Sequence, residues 1–324
     1  MKTTIAPALE ERAAQFVARA AEIVKTYTDP LEKAAVPALI YHYTTSGGLE
    51  GILRSGKLWL SDAFEMNDQR EIQHGVDVAI DVLKRRAEDA HPAIGGLSAY
   101  MERTIQPNVR HTAHYLIASF SELPNHLPQW QEYADDACGY ELAFDCAELE
   151  RSIKEAGTPG YASFPVSYEA GTLRDLLEKL IDEVIQAILF AVGRRQSRLT
   201  LKAYVGTLID ALSSEILHCS IYFKDASFRH EREYRFMQIL PVDTPAGSLL
   251  QRRRYEGGPR INYREWDWRG TAHRALKGVV LGPASQDPLA LESAGKLLKE
   301  CLPGRDDITL SRSPLPYRLT RPRK

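Results

Sequence analysis

ALIYHYTTSGGLEGILRSGKLWLS, residues 38–61, is the stretch on which the reading of the fold turns. Leu39 to Tyr43 is aliphatic and aromatic and breaks at a Thr-Thr-Ser-Gly-Gly cluster, which predicts a strand running into a turn. The hydroxyls of Thr44, Thr45 and Ser46 suit the N-cap of a short helix holding Leu49, Ile52 and Leu53. Gly56 suits a left-handed stop, and KLWLS begins a second strand. Clefts tend to form where polar side chains end a strand beside a helix N-terminus. His42 is therefore a candidate site residue.

Working outward, residues 8–28 have the periodicity of an amphipathic helix through Leu9, Phe16, Ala20, Ile23 and Val24. Asp68 and Glu71 have capping-box spacing, and with Asn67 they are expected to fix the turn into the next helix. HYLIASFS, YELAFD and REYRFMQIL read as strands, and residues 172–192 and 199–222 as two long helices. KGVVLG, a helix over 286–301 and DITLSR close the chain as strand, helix and strand. The expected class is α+β: a mixed, largely antiparallel sheet with flanking helices and an inserted long helical pair. Residues 1–30 form a helical arm in this reading, 31–312 one domain with its insertion at about 172–222, and 313–324 a basic tail.

Composition limits the alternatives. A chain of 324 residues, 44% hydrophobic and 26% charged, can bury a sizeable core. It has no signal-peptide pattern at its start and no apolar run long enough to span a bilayer, so no membrane partner is expected. Four cysteines without CxxC spacing fit a reduced, cytoplasmic protein. The net charge of −2 conceals an asymmetry. Residues 251–274 hold seven arginines against three acids, and residues 312–324 hold four arginines and one lysine against none. Segments 252–264 and 312–324 are thus candidates for binding nucleic acid, with Tyr255, Tyr263, Trp266 and Trp268 available to stack on bases. A solvated loop and a frayed tail account for the same residues.

Three polar groups are candidates for chemistry. The first is His42 with Tyr43. The second is Ser119-Phe120-Ser121, where strand alternation puts both hydroxyls on one face. The third is HEREYRFM, where a strand would put Glu231, Glu233 and Arg235 on one face. Like charges so placed need a neighbouring arginine, and Arg229, Arg232 and Arg235 are at hand. His111 and His114 lack a third ligand at plausible spacing, so no metal is expected.

Four blocks carry a resemblance: YHYTTSGGLEGILRSGKLWLSDAFEMNDQRE, ASFSELPNHLPQWQEYADDACGYELAFD, FKDASFRHEREYRFM and VVLGP. Their order, the Asn67-Asp68 pair and the Trp130-x-x-Tyr133 step resemble domain-of-unknown-function family 2971, found in bacteria and often near mobile or defence genes. A second likeness comes from the order of the three polar groups, which resembles the layout of ADP-ribosyltransferases. That likeness implies an ADP-ribosyltransferase-like core with NAD as substrate. It implies that His42 grips NAD, that Ser119 and Ser121 support the site, that Glu233 holds the nicotinamide ribose and that Glu231 assists the acceptor. Tyr43 or Trp130 would stack on the nicotinamide, with Tyr133, Phe120 and Arg235 lining the same site. Here His42 is followed by Tyr43 instead of the usual Gly, and Phe120 stands where the serine motif usually has Thr.

Two functions follow as expectations. One is an enzyme that cleaves NAD and transfers ADP-ribose to an acceptor, with a carboxylate stabilising an oxocarbenium-like transition state. The other is a non-catalytic module that recognises a nucleotide or nucleic acid. Convergence of His42, Ser121 and Glu233 in one cleft separates the first from the second.

Overall fold

The computed structural model describes residues 6–65, 69–88, 103, 113–157, 160–194, 196–241, 251–254, 260–270 and 273–318. The opening motif folds as its sequence implies. Strand β1 (Leu39–Thr44) leads to helix α2 (Ser46–Ser55), where the Thr45 hydroxyl accepts from the Gly48 amide at 3.1 Å. Gly56 ends that helix at φ 67°, a backbone that glycine adopts without steric cost, and β2 (Lys57–Asp62) follows.

Eight further strands complete the sheet: β3 (Ala113–Ser121), β4 (Tyr140–Asp145), β5 (Tyr161–Pro165), β6 (Glu233–Pro241), β7 (Gln251–Arg254), β8 (Arg260–Asp267), β9 (Leu276–Leu281) and β10 (Thr309–Arg312). Their order is β10-β9-β4-β1-β3-β2-β8-β7, with β6 beside β3 and β5 beside β6. The β9–β10 pair is parallel and the other described pairs are antiparallel, so the sheet is mixed and largely antiparallel. One edge of β3 serves two strands: β1 meets it at Tyr41–Ser121, and β2 meets it at Ser61–Ile117 and Asp62–Leu116.

Both faces of the sheet are covered. On one lie α1 (Pro7–Glu32), α3 (Gln69–Glu88), α6 (Ala170–Val192) and α7 (Arg198–Ser220), enclosing Ile117, Phe164 and Met237. On the other, α2, α5 (Cys146–Glu155) and α8 (Ala290–Cys301) enclose Ile40, Phe120, Phe144, Phe236 and Trp268. A seven-residue helix, α4 (Leu127–Tyr133), sits in the β3–β4 connection. Helix α1 is more than an arm, because its Leu9, Phe16 and Ala20 are buried in the same cluster as α6 and α7. Met66, Asn67 and Asp68 and the Glu71 side chain lie outside the described residues, and with them the expected capping turn. Among the described residues, no helix is long and apolar enough to cross a membrane.

Candidate functional site

Strand register decides which candidates meet. Tyr41 pairs with Ser121 and Ser121 with Glu233, while Ser119 pairs with Arg235. Directly opposed residues share a sheet face, so Tyr41, Ser119, Ser121, Glu233 and Arg235 project together. His42, one residue on from Tyr41, projects from the opposite face. Its ring lies 5.6 Å from that of Phe120 in the α2–α5–α8 core. Burial lowers the His42 pKa, opposed by a hydrogen bond to the Ser119 carbonyl. The expected joint cleft of His42 and Glu233 is therefore not formed, since strand β3 stands between them. Phe120 lines no site either: it packs against Phe236 at 5.5 Å and Phe144 at 6.0 Å.

The carboxylates come together by a route that strand alternation does not give. Glu231 is not on β6. It ends a 3-10 turn (Ala226–Glu231) that Asp225 caps, and Arg232 at φ 47° then swings the chain into the strand. Lys224, which the sequence reading did not single out, bridges the two acids. Its Nζ lies 2.6 Å from Glu231 Oε2 and 3.4 Å from Glu233 Oε2. Arg235 holds Glu233 with two bonds, Nε to Oε1 at 2.7 Å and Nη2 to Oε2 at 3.0 Å, and its Nη1 donates to the Ile221 carbonyl at 2.6 Å. All four side chains are buried, two charges of each sign. Burial alone would raise the Glu233 carboxyl, but the Arg235 guanidinium and the Lys224 ammonium outweigh it and hold the group well below its ordinary range. The other two arginines at hand are used elsewhere, Arg229 on Glu169 and Arg232 on Glu122.

The serines anchor this cluster. The Ser119 hydroxyl supports the Glu233 carboxylate, while Ser121 Oγ donates to the Glu231 carbonyl at 2.7 Å and accepts from the Leu123 amide at 3.1 Å. Tyr133, 44% exposed, forms the outer wall; burial and the charges of Glu231 and Glu233 raise its pKa. Above the cluster the β3–β4 connection is tied down by the sheet. Tyr43 Oη donates to the Leu123 carbonyl at 2.8 Å and accepts from the His126 amide at 2.9 Å, and buried Glu141 accepts from the Asn125 amide at 2.6 Å. Trp130 and Tyr43 are buried edge to face, with ring centroids 5.1 Å apart, and neither presents a face on which a ligand ring would stack.

Backbone strain gathers here. Among the described residues, six non-glycine positions have positive φ: Asn125, Asp135, Asp136 and Ala137 lie in the β3–β4 connection, Arg232 at the entry to β6, and His273 elsewhere. Side chains with a Cβ disfavour that region by about 1–2 kcal/mol each, and such residues concentrate where a site needs a fixed shape. Three buried side-chain atoms of the same loop, Asn125 Oδ1, His126 Nδ1 and Trp130 Nε1, make no hydrogen bond.

The basic segments are far apart in the strand order. Arg252–Arg254 form β7 at one end and Arg312 closes β10 at the other. Trp266 and Trp268, expected to stack on bases, are core residues with 3% and 0% exposure. Tyr255 and residues 319–324 lie outside the described residues. Of the two weighed histidines, His111 also lies outside them, and His114 is bonded through Nδ1 to Asp62 at 2.8 Å.

No curated protein and no solved structure matches the chain. A protein family does match, over residues 129–236, which run from α4 into β6 and include Trp130, Tyr133 and the whole Lys224–Arg235 cluster. The family matched over these residues is described as Protein of unknown function (DUF2971).

Proposed function

We propose that the protein is a cytoplasmic recognition module of a bacterial defence assembly that binds a nucleotide or nucleic acid without cleaving it. The observation that carries this reading is the state of Glu233. A carboxylate that stabilises an oxocarbenium-like ribose must face its substrate, whereas both Glu233 oxygens face Arg235 and Lys224. A general acid or base needs a pKa near the working pH, and Glu233 is held far below it. The ion-paired group fixes the turn into β6, and Tyr43 and Glu141 fix the β3–β4 connection, which favours a rigid binding surface over a reacting one. Positive charge on an otherwise acidic chain supplies the attraction for phosphate.

Salt decides the first half. If the basic segment 252–264 neutralises about three to four phosphates, a fourfold rise in salt is expected to weaken single-strand binding about 20- to 50-fold. Titration of labelled DNA and RNA at two salt concentrations reads it, and absence of binding at low salt overturns the proposal.

A second reading, NAD cleavage with transfer of ADP-ribose, is favoured by the placement of Ser119 and Ser121 on the Glu233 face. A nicotinamide-release assay separates the two. The recognition reading expects no release above background. Release that Glu231→Gln and Glu233→Gln both suppress, in variants that remain folded, establishes the enzyme instead.

A further inference from the structure

Past β10 the chain reads Ser313-Pro314-Leu315-Pro316-Tyr317-Arg318, and its two prolines fix their own φ and push Ser313 and Leu315 into extended backbone. Arg312 Nη1 donates to the Ser285 carbonyl at 2.8 Å, and the Ser313 amide donates to the Leu281 carbonyl at 2.8 Å. Among the described residues, that is the last backbone hydrogen bond from this segment to the body. Pro314 and Pro316 have no N–H, the Leu315 amide donates to the Ser313 hydroxyl, and the Tyr317 amide donates to the Leu315 carbonyl, all within the segment. Side chains hold the rest. Leu315 and Tyr317 pack, partly buried, on an apolar cluster of Tyr43, Trp130, Ala134, Ala137 and Ala284, and Gln131 Nε2 donates to Tyr317 Oη at 3.0 Å. The segment is thus a strap laid over α4 and the turn that follows it. The fit has a fault: Trp130 is fully buried, yet its indole N–H is unbonded, so the strap covers the tryptophan without supplying an acceptor.

We propose that the α4 groove docks an extended peptide of a partner protein, and that residues 313–318 occupy it in cis as a displaceable strap. The strap defines the chemistry of that partner: a proline-flanked aliphatic residue, a tyrosine two positions on, and a basic residue after the tyrosine. A chain extended beforehand by proline, laid in a groove lined by aromatic rings, is a recurring mode of peptide recognition. The basic residue follows from charge, because Glu132, Asp135 and Asp136 are exposed at the end of α4, as Arg318 is beyond Tyr317. Displacement is cheap in structure, since no backbone bond to the body breaks from Pro314 onward, and segments held so open at far lower free energy than the whole fold. A partner that brings an acceptor to the Trp130 N–H holds an advantage over the strap. The inference goes beyond nucleotide recognition and does not depend on it.

The test titrates a labelled peptide of the strap's own sequence, SPLPYR, into the full chain and into a full-length double variant, Leu315→Ser with Tyr317→Ser. The parent's groove is filled, so the double variant is expected to bind the peptide at least about tenfold more tightly. A peptide with its leucine and tyrosine replaced by serine is expected not to bind either protein. Hydrogen exchange on the parent needs no variant and decides the matter even where the double variant does not fold. The Leu315 and Tyr317 amides are expected to exchange through local opening, far faster than the amides of the sheet. Strap amides that exchange only with global unfolding overturn the proposal. So does a double variant that keeps the parent's melting temperature and ignores the peptide. A parent that dimerises as its concentration rises, while the double variant stays monomeric, overturns the partner peptide in favour of straps exchanged between two copies.

Discussion

Replacing Arg235 with methionine is expected to lower the unfolding free energy by about 3–5 kcal/mol, the usual cost of leaving one partner of a buried ion pair without its counter-charge. Arg235 is 2% exposed and supplies two of the bonds that hold Glu233, so the variant strands a carboxylate that Lys224 must share with Glu231. The acid limb of stability should change as well. Because the folded-state pKa of Glu233 is depressed, its contribution is fully present above the ordinary value of 4.5 and falls away as the pH drops from there through the folded value. In Arg235→Met only Lys224 still opposes the burial of Glu233, so that contribution shrinks and the stability curve below pH 4.5 should flatten relative to the parent. Denaturant titrations across acid pH read both effects. The double variant Glu233→Met/Arg235→Met should recover much of the loss, since an apolar pair of similar volume avoids desolvating two charges. A single variant as stable as the parent would mean that the pair is solvated and Glu233 is available to a ligand. The same geometry makes Glu233→Gln an unsafe probe of catalysis by itself, because it leaves Arg235 buried without a carboxylate.

How much of this was legible in the sequence depends on the range of the interaction. The β1–α2–β2 unit was readable because its signals are local: Thr45 caps and Gly56 stops within a dozen residues. The pairing of Ser119 and Ser121 on one face followed from alternation alone. The face of His42 did not, because it depends on how β1 registers against β3, and a slip of one residue reverses every side chain. Glu231 was assigned to the strand because nothing about Arg232 announces a left-handed residue; a glycine there would have done so. Lys224 joins the cluster only after the 3-10 turn folds the chain back, which no periodicity encodes. Trp266 and Trp268 sit among arginines in the sequence, yet both turn into the core at the end of β8, so composition misplaced them, whereas Trp59 on β2 is 36% exposed.

The largest effect is expected from excising Ala170–Ser220, the helical pair whose position between two strands suggests an insertion. A true insertion packs on itself and leaves the parent domain folded when removed. Here α6 and α7 bury Leu173, Leu176, Leu177, Leu180, Leu208 and Leu212 in one cluster with Leu9 and Phe16 of α1, Val76 and Leu83 of α3, and Ile117 and Met237 of the sheet. Their removal would open a whole face of β3 and β6 to water, far more apolar surface than a marginally stable domain can expose. The excised chain is therefore expected to lose its cooperative thermal transition and to aggregate. A graded version isolates the cause. Leu180→Ala, at a fully buried position, should cost about 2–5 kcal/mol by cavity formation, and that loss should appear in the single global transition. A separate early transition confined to α6 and α7, with the remainder melting at the parent temperature, would show that the pair folds on its own. In that case the sheet face would need another cover, and the Lys224–Glu233 cluster at the end of α7 would be free to move.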